Sequence, residues 1–141
     1  MDGTREHVPS VLMDVSNAMV KLHKEQFGRG PTTARSHFAG PDVVICVLET
    51  VLLPAEKKMV ELGEQAGVRA SRVAFQAATA DEFITAVEAI VDRKVHAFAS
   101  GVDPDNDVVF ETFLFERGSG GSTANGDGAL TAERAAQLRE R

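Results

Sequence analysis

The 141-residue sequence has no tryptophan, no tyrosine and one cysteine. With a single thiol, Cys46, no internal disulfide can form, and a reducing cytosol is the expected compartment. Without Trp or Tyr, any aromatic platform for a sugar or a base must come from the eight phenylalanines. Positive charge is also scarce. Fifteen Lys and Arg against 21 Asp and Glu leave a net charge of −6, which argues against a non-specific grip on nucleic-acid phosphates. Long apolar runs are missing as well. The longest, Val43 to Leu48, falls far short of the ~20 residues that span a bilayer. The segment Met1 to His7 is polar and mixed in charge, unlike a secretory signal.

What is present suits one globular domain. Hydrophobic residues make up 43% and charged residues 26%, enough to form a core without disulfides or metal. Pro9 and Ser10 open a helix whose apolar stripe is Val8, Leu12, Val15, Met19 and Leu22. Gly28 or Gly30 caps it and Pro31 bars its continuation. Thr32 to Phe38 alternates as a strand, Ala39 to Asp42 turns, and Val43 to Val51 is a second strand. Both faces of that strand are apolar, so it is expected to be central and covered on both sides. Pro54 starts a short helix that stops near Gly63, and Gly67 marks a further break. A longer helix runs from about Val68 to Val91, with a kink near Thr79 and Asp81 as an alternative. Lys94 to Ser100 and Val108 to Phe115 are the third and fourth strands, pairing as a second hairpin across an aspartate-rich loop.

The expected fold is therefore α+β, in the order α-β-β-α-α-β-β. It has two layers, a four-stranded mixed or antiparallel sheet with helices on one face. The second strand, the helical crossover and the third strand could form a right-handed βαβ unit with the hairpin arms outside. If one sheet face lacks helices, Phe113 and Phe115 would be exposed there and recruit a second copy of the chain. The single domain covers residues 1–116. Residues 117–141 read as a flexible Gly/Ser linker followed by a short helix from Thr131.

The densest functional candidate is the joint His23 to Pro31. It carries two glycines, which let a backbone approach a ligand closely, with Lys24 and Arg29 beside them. Arg35 on the next strand, and Arg72 and Arg93 from the helix layer, could complete a cluster for a small anion. The expected anion-binding set is thus Lys24, Gly28, Arg29, Gly30, Arg35, Arg72 and Arg93. The competing explanation is a helix stop with cations at its negative end. No metal or cofactor is implied. His23, His37, His96, Cys46 and Glu49 lack zinc spacing, and Asp103/Asp105/Asp107 lacks the glycine and distal glutamate of a calcium loop. No Gly-x-Ser-x-Gly nucleophile elbow is present.

Several segments together resemble the MpsC family. They are Asn17 to Glu25, Gly28 to Thr32, Pro54 to Lys57, Arg72 with Phe75, Phe83 with Val87 and Glu88, and Arg93 to Val95 with Phe98. The resemblance covers about residues 10 to 116 and is sharpest in Leu22-His23-Lys24-Glu25 and Gly28 to Pro31. Leu53 stands where the family pattern has a threonine cap, Asp92 where glycine is frequent, and Gly101 where aspartate is frequent. The resemblance implies association with a membrane system linked to sodium and inorganic-carbon transport. It transfers no catalytic residues. The leading reading is a cytoplasmic, homodimeric accessory or regulatory domain that binds a partner protein or small anion. It is peripheral to the membrane through a partner in a transport complex. The alternative is a small enzyme, a hydrolase or a carbon-handling activity, using His23 or His37 with nearby acids. Nucleic-acid binding ranks last.

Overall fold

The computed structural model describes residues 10–118 and 132–139. Helix α1 spans Val11–Phe27. The Ser10 hydroxyl accepts from the Met13 N–H at 3.2 Å, and Gly28 closes the helix at φ 84° with its N–H on the Lys24 carbonyl. A left-handed C-cap is the position where a residue without Cβ is favoured. Strands β1 (Thr33–Phe38) and β2 (Val43–Glu49) form the first hairpin. Helices α2 (Pro54–Glu61) and α3 (Gln65–Val91) cross over to β3 (Val95–Asp103) and β4 (Val108–Phe115). A further helix, α4, spans Ala132–Arg139. The expected Gly/Ser linker lies almost wholly outside the described residues.

The sheet order is β1-β2-β4-β3, and every neighbouring pair is antiparallel. Of the two sheet types expected, the antiparallel one is realised. The βαβ arrangement with outer arms is not, because β4 inserts between β2 and β3. An antiparallel β4 pairs with both, and its inward residues Val109, Phe113 and Phe115 are buried there. Gly67 does not interrupt α3. It packs so close to α2 that a Cβ there would sit 2.8 Å from the Met59 methyl. Nor does α3 divide at Thr79, whose hydroxyl donates to the Phe75 carbonyl at 2.9 Å. Asp92 ends the helix at φ 62°, a left-handed position that Asp tolerates better than most residues.

The core lies on one side of the sheet. α1 packs over β1 and β2, and α3 over β3. Val44, Cys46 and Leu48 from β2 meet Val15 and Met19 from α1, with Phe83 and Val87 from α3 completing the cluster. The expectation that β2 is covered on both sides is therefore overturned: Val43, Ile45 and Val47 point to the other face and are only half-buried. The expected exposure of Phe113 and Phe115 is also reversed. Both are buried under the helices, and Phe110 and Leu114 are the exposed members of β4. Period-two alternation separates two faces without saying which faces the helices. Phe113→Ala should lower the free energy of unfolding in urea by about 3–5 kcal/mol. Leu114→Ala should cost under about 1 kcal/mol. The reverse ranking would contradict this assignment of faces.

Candidate functional site

A polar row crosses the buried face of the sheet. Ser36, Cys46, Glu111 and Ser100 are register partners across β1, β2, β4 and β3. α1 lies above this row and contributes two polar side chains of its own. Ser16 Oγ lies 2.7 Å from Ser36 Oγ, and His23 Nε2 lies 2.8 Å from Glu111 Oε2. Ser16 and His23 are seven residues apart, two turns of helix, so both share the inward stripe with Met19. His23 and Glu111 are 3% and 2% exposed. A carboxylate so deeply buried needs its lone pairs satisfied. Oε2 has His23, whereas Glu111 Oε1 is buried and without a hydrogen-bond partner. Burial pushes the Cys46 thiol up from its ordinary value, and the nearby Glu111 charge adds to this. Hydrogen bonds from Ser36 and Ser16 oppose the rise. The thiol therefore stays protonated near neutrality and is a poor nucleophile.

Glu111 and His23 line a cavity of about 200 Å³ between α1, α3 and the β3–β4 half of the sheet. The cavity's apolar lining includes Phe27, Val73, Phe75, Phe83, Val102 and Val109. The rings form a chain. Phe75 meets Phe27 at 4.7 Å, Phe27 meets His23 at 5.6 Å, and His23 meets Phe83 edge-on at 5.7 Å between centroids. Arg72 forms part of the cavity wall, with its guanidinium 4.1 Å from the Phe27 centroid. Its Nε and Nη2 donors are engaged, and Nη1 carries no hydrogen bond among the described residues. Nε donates to Glu56 Oε2 at 2.8 Å, and Nη2 donates to Glu56 Oε1 at 2.6 Å and to the Val51 carbonyl at 3.3 Å. Glu56 also accepts from the Leu53 N–H at 2.8 Å, so Leu53 opens α2 without a capping hydroxyl of its own.

The residues expected to hold an anion are dispersed. Gly28 is the α1 cap, and Gly30 packs beside Val20 and Lys24. Lys24 is exposed and Arg29 half-buried. Among the described residues neither has a carboxylate within ion-pair distance. Arg35 lies on the open face of the sheet, 3.5 Å from Glu49. Arg93 binds the Pro41 carbonyl and Asp42 at the β1–β2 turn, while Arg72 binds at the opposite end of β2. Seven strand residues at ~3.4 Å each put those two arginines on the order of 20 Å apart. Arg72 is the only arginine of the expected set on the cavity wall. His37 and His96 are exposed, so the histidine paired with an acid is His23.

The joint at residues 23–31 does border the cavity, but through His23, Gln26 and Phe27 rather than Lys24 and Arg29. Residues three and four apart share a helix face, and that face turns inward. The missed member was Glu111. Its signal was an acid within the otherwise apolar alternation Val109, Phe113, Phe115. The three loop aspartates have separate structural tasks. Asp107 accepts from the Val51 and Leu52 N–H groups, Asp103 from Asn106, and Asp105 from Gln65. Among the described residues no group of three or more acids, histidines and cysteines is placed to hold a metal.

Fold and site together define a small α+β domain with a polar-floored cavity beneath its first helix. The chain matches the MpsC family, described as "Na+-translocating membrane potential-generating system (MpsC)", over residues 10–117, and it belongs to that family. The family's name ties it to a Na+-translocating membrane system. Comparison with curated proteins and with solved structures finds no match. Among the described residues no helix is long and apolar enough to cross a membrane.

The pair Glu56–Arg72 makes a pH prediction. Burial raises the Glu56 carboxyl, but hydrogen bonds from Arg72 and Leu53 and the Arg72 charge outweigh it, leaving the group below its ordinary value of 4.5. A lowered folded value means that the stabilisation is complete above the unfolded value and is lost as pH falls through the folded one. Urea midpoints of wild type and Glu56→Gln should therefore differ most above pH 4.5 and converge under more acidic conditions. Arg72→Leu should cost about 3 kcal/mol or more at neutral pH, because it strands the Glu56 carboxylate.

Proposed function

We propose that this domain is a cytoplasmic accessory component of a membrane ion-transport system, and that it responds to a small molecule held in the α1–α3 cavity. The observation that carries this reading is the half-satisfied Glu111 carboxylate on the wall of a largely apolar cavity. Apolar walls with a few convergent polar groups are the usual make-up of a small-molecule site. The occupant would couple α1, α3 and the sheet, three elements that otherwise meet mainly through the core. A second reading keeps a small anion at the helix–strand joint. It is supported by Lys24 and Arg29, whose charges have no ion-pair partner among the described residues. A partner protein or second copy would dock on the open sheet face, where Phe110 and Leu114 are exposed.

A thermal-shift screen of amines, neutral aromatics, carboxylates, bicarbonate, phosphates and nucleotides separates the two small-molecule readings. A ligand at ~100 times its Kd adds about 2.7 kcal/mol, a rise of several degrees in Tm. Under the cavity reading Phe75→Ala diminishes the shift and Arg29→Ala leaves it intact. Under the joint reading Arg29→Ala abolishes it. No shift with any compound would count against both. Light scattering at micromolar concentration should give the mass of a dimer, and a monomeric mass would remove the second copy from the open face.

A further inference from the structure

We infer that the cavity takes a small amine: a protonated nitrogen held by Glu111 and an apolar, preferably aromatic, body held among Phe27, Phe75 and Phe83. This inference rests on the cavity reading above and narrows it to a ligand class. Three observations point to the class. First, among the described residues the fully buried side-chain atom without a hydrogen-bond partner is an acceptor, Glu111 Oε1, on a residue 2% exposed. A hydrogen-bond donor, not a second acceptor, relieves that position. Second, the buried cation on the same wall, Arg72, is already neutralised. Glu56 and the Val51 carbonyl hold its Nε and Nη2 edge, so an incoming anion finds only Nη1, on a guanidinium whose charge Glu56 balances. Third, the walls are rings. Phe27, Phe75 and Phe83 line the cavity, with Arg72 already over Phe27 and Phe98 stacked on Phe83, and such walls suit an aromatic body.

Size limits the guest further. The cavity of about 200 Å³ is somewhat larger than the ~150 Å³ apolar cavities known to admit benzene, so a single ring with a short amino arm fits. Oε1 itself is hidden from the cavity, with its accessible area under 1 Å². The ammonium therefore reaches the carboxylate only when the carboxyl group turns about its terminal bond, a soft torsion, and exchanges its His23 contact for the ammonium. Arg69 also lines the cavity but is exposed to solvent, where its repulsion of a cation is screened.

The test is isothermal titration of the full chain with benzylamine, benzyl alcohol and benzoate, three near-isosteric probes that differ in the polar group. Benzylamine should bind about tenfold or more tighter than benzyl alcohol, the range of a charge-assisted hydrogen bond. Glu111→Gln keeps an acceptor for His23 but removes the charge. It should erase the amine preference while benzyl alcohol binding persists. If the alcohol or benzoate binds wild type as tightly as the amine, the ligand class is wrong and the cavity reading survives. If none of the three binds, both fall. The amine-versus-alcohol comparison is made on wild type, so it stands even if Glu111→Gln fails to fold.

Discussion

A carboxylate on the core face of a sheet must be paired, and here the pairing decides how the molecule is assembled. Glu111 sits mid-strand on β4, between Val109 and Phe113, where an unpaired charge would be strongly unfavourable. His23 meets it from the last two turns of α1. That contact sets the rotation of α1 about its axis and its position along the sheet, because a shift of one residue would carry His23 out of reach. The Ser16–Ser36 contact two turns earlier pins the same helix at a second point. With α1 placed in this way, His23, Gln26 and Phe27 face α3, and the cavity is the space that remains.

The arginines show a parallel logic at the periphery. Arg72 joins α3 to the start of α2 through Glu56 and to the chain leaving β2 through Val51. Arg93 joins the end of α3 to the β1–β2 turn through Asp42 and Pro41, with its guanidinium 5.0 Å from the Phe115 centroid. Each fixes a connection at one end of the sheet. Asp107 performs the same task with a carboxylate, accepting from two successive backbone N–H groups just beyond β2. These side chains read in the sequence as ligand-binding charges because ion pairs between distant segments leave no local pattern. Lys24 and Arg29 lack such pairs among the described residues, which keeps them apart from this framework.

The open sheet face is the least settled surface energetically. Val43, Ile45 and Val47 run alongside Phe110 and Leu114, and β3 adds Ala97, Ala99, Gly101 and Asp103 to that side. β1 adds Thr33, Arg35 and His37, with Arg35 paired to Glu49. A covering subunit would find an apolar centre edged by polar and charged side chains. The helix side is the opposite case, with rings, a buried pair and fixed register.

Local chemistry determined the order of elements from the sequence alone. Ser10, Gly28, Pro31 and Pro54 act within a few residues of their own positions, so α1, both hairpins and the start of α2 were legible. Alternation likewise separated two sets of side chains on β4, whereas β2, apolar on both sides, read as doubly covered and is not. Three other matters depended on contacts between distant segments: which face meets the helices, where β4 inserts, and which charges are already paired. Gly67 and Thr79 looked like breaks but were absorbed by α3, because packing against Met59 and a bond to the Phe75 carbonyl compensated them. The site divides in the same way. The joint at residues 23–31 was visible as a dense local cluster. That His23 rather than Lys24 is its buried member follows from Glu111, 88 residues away, and only the folded chain brings the two together.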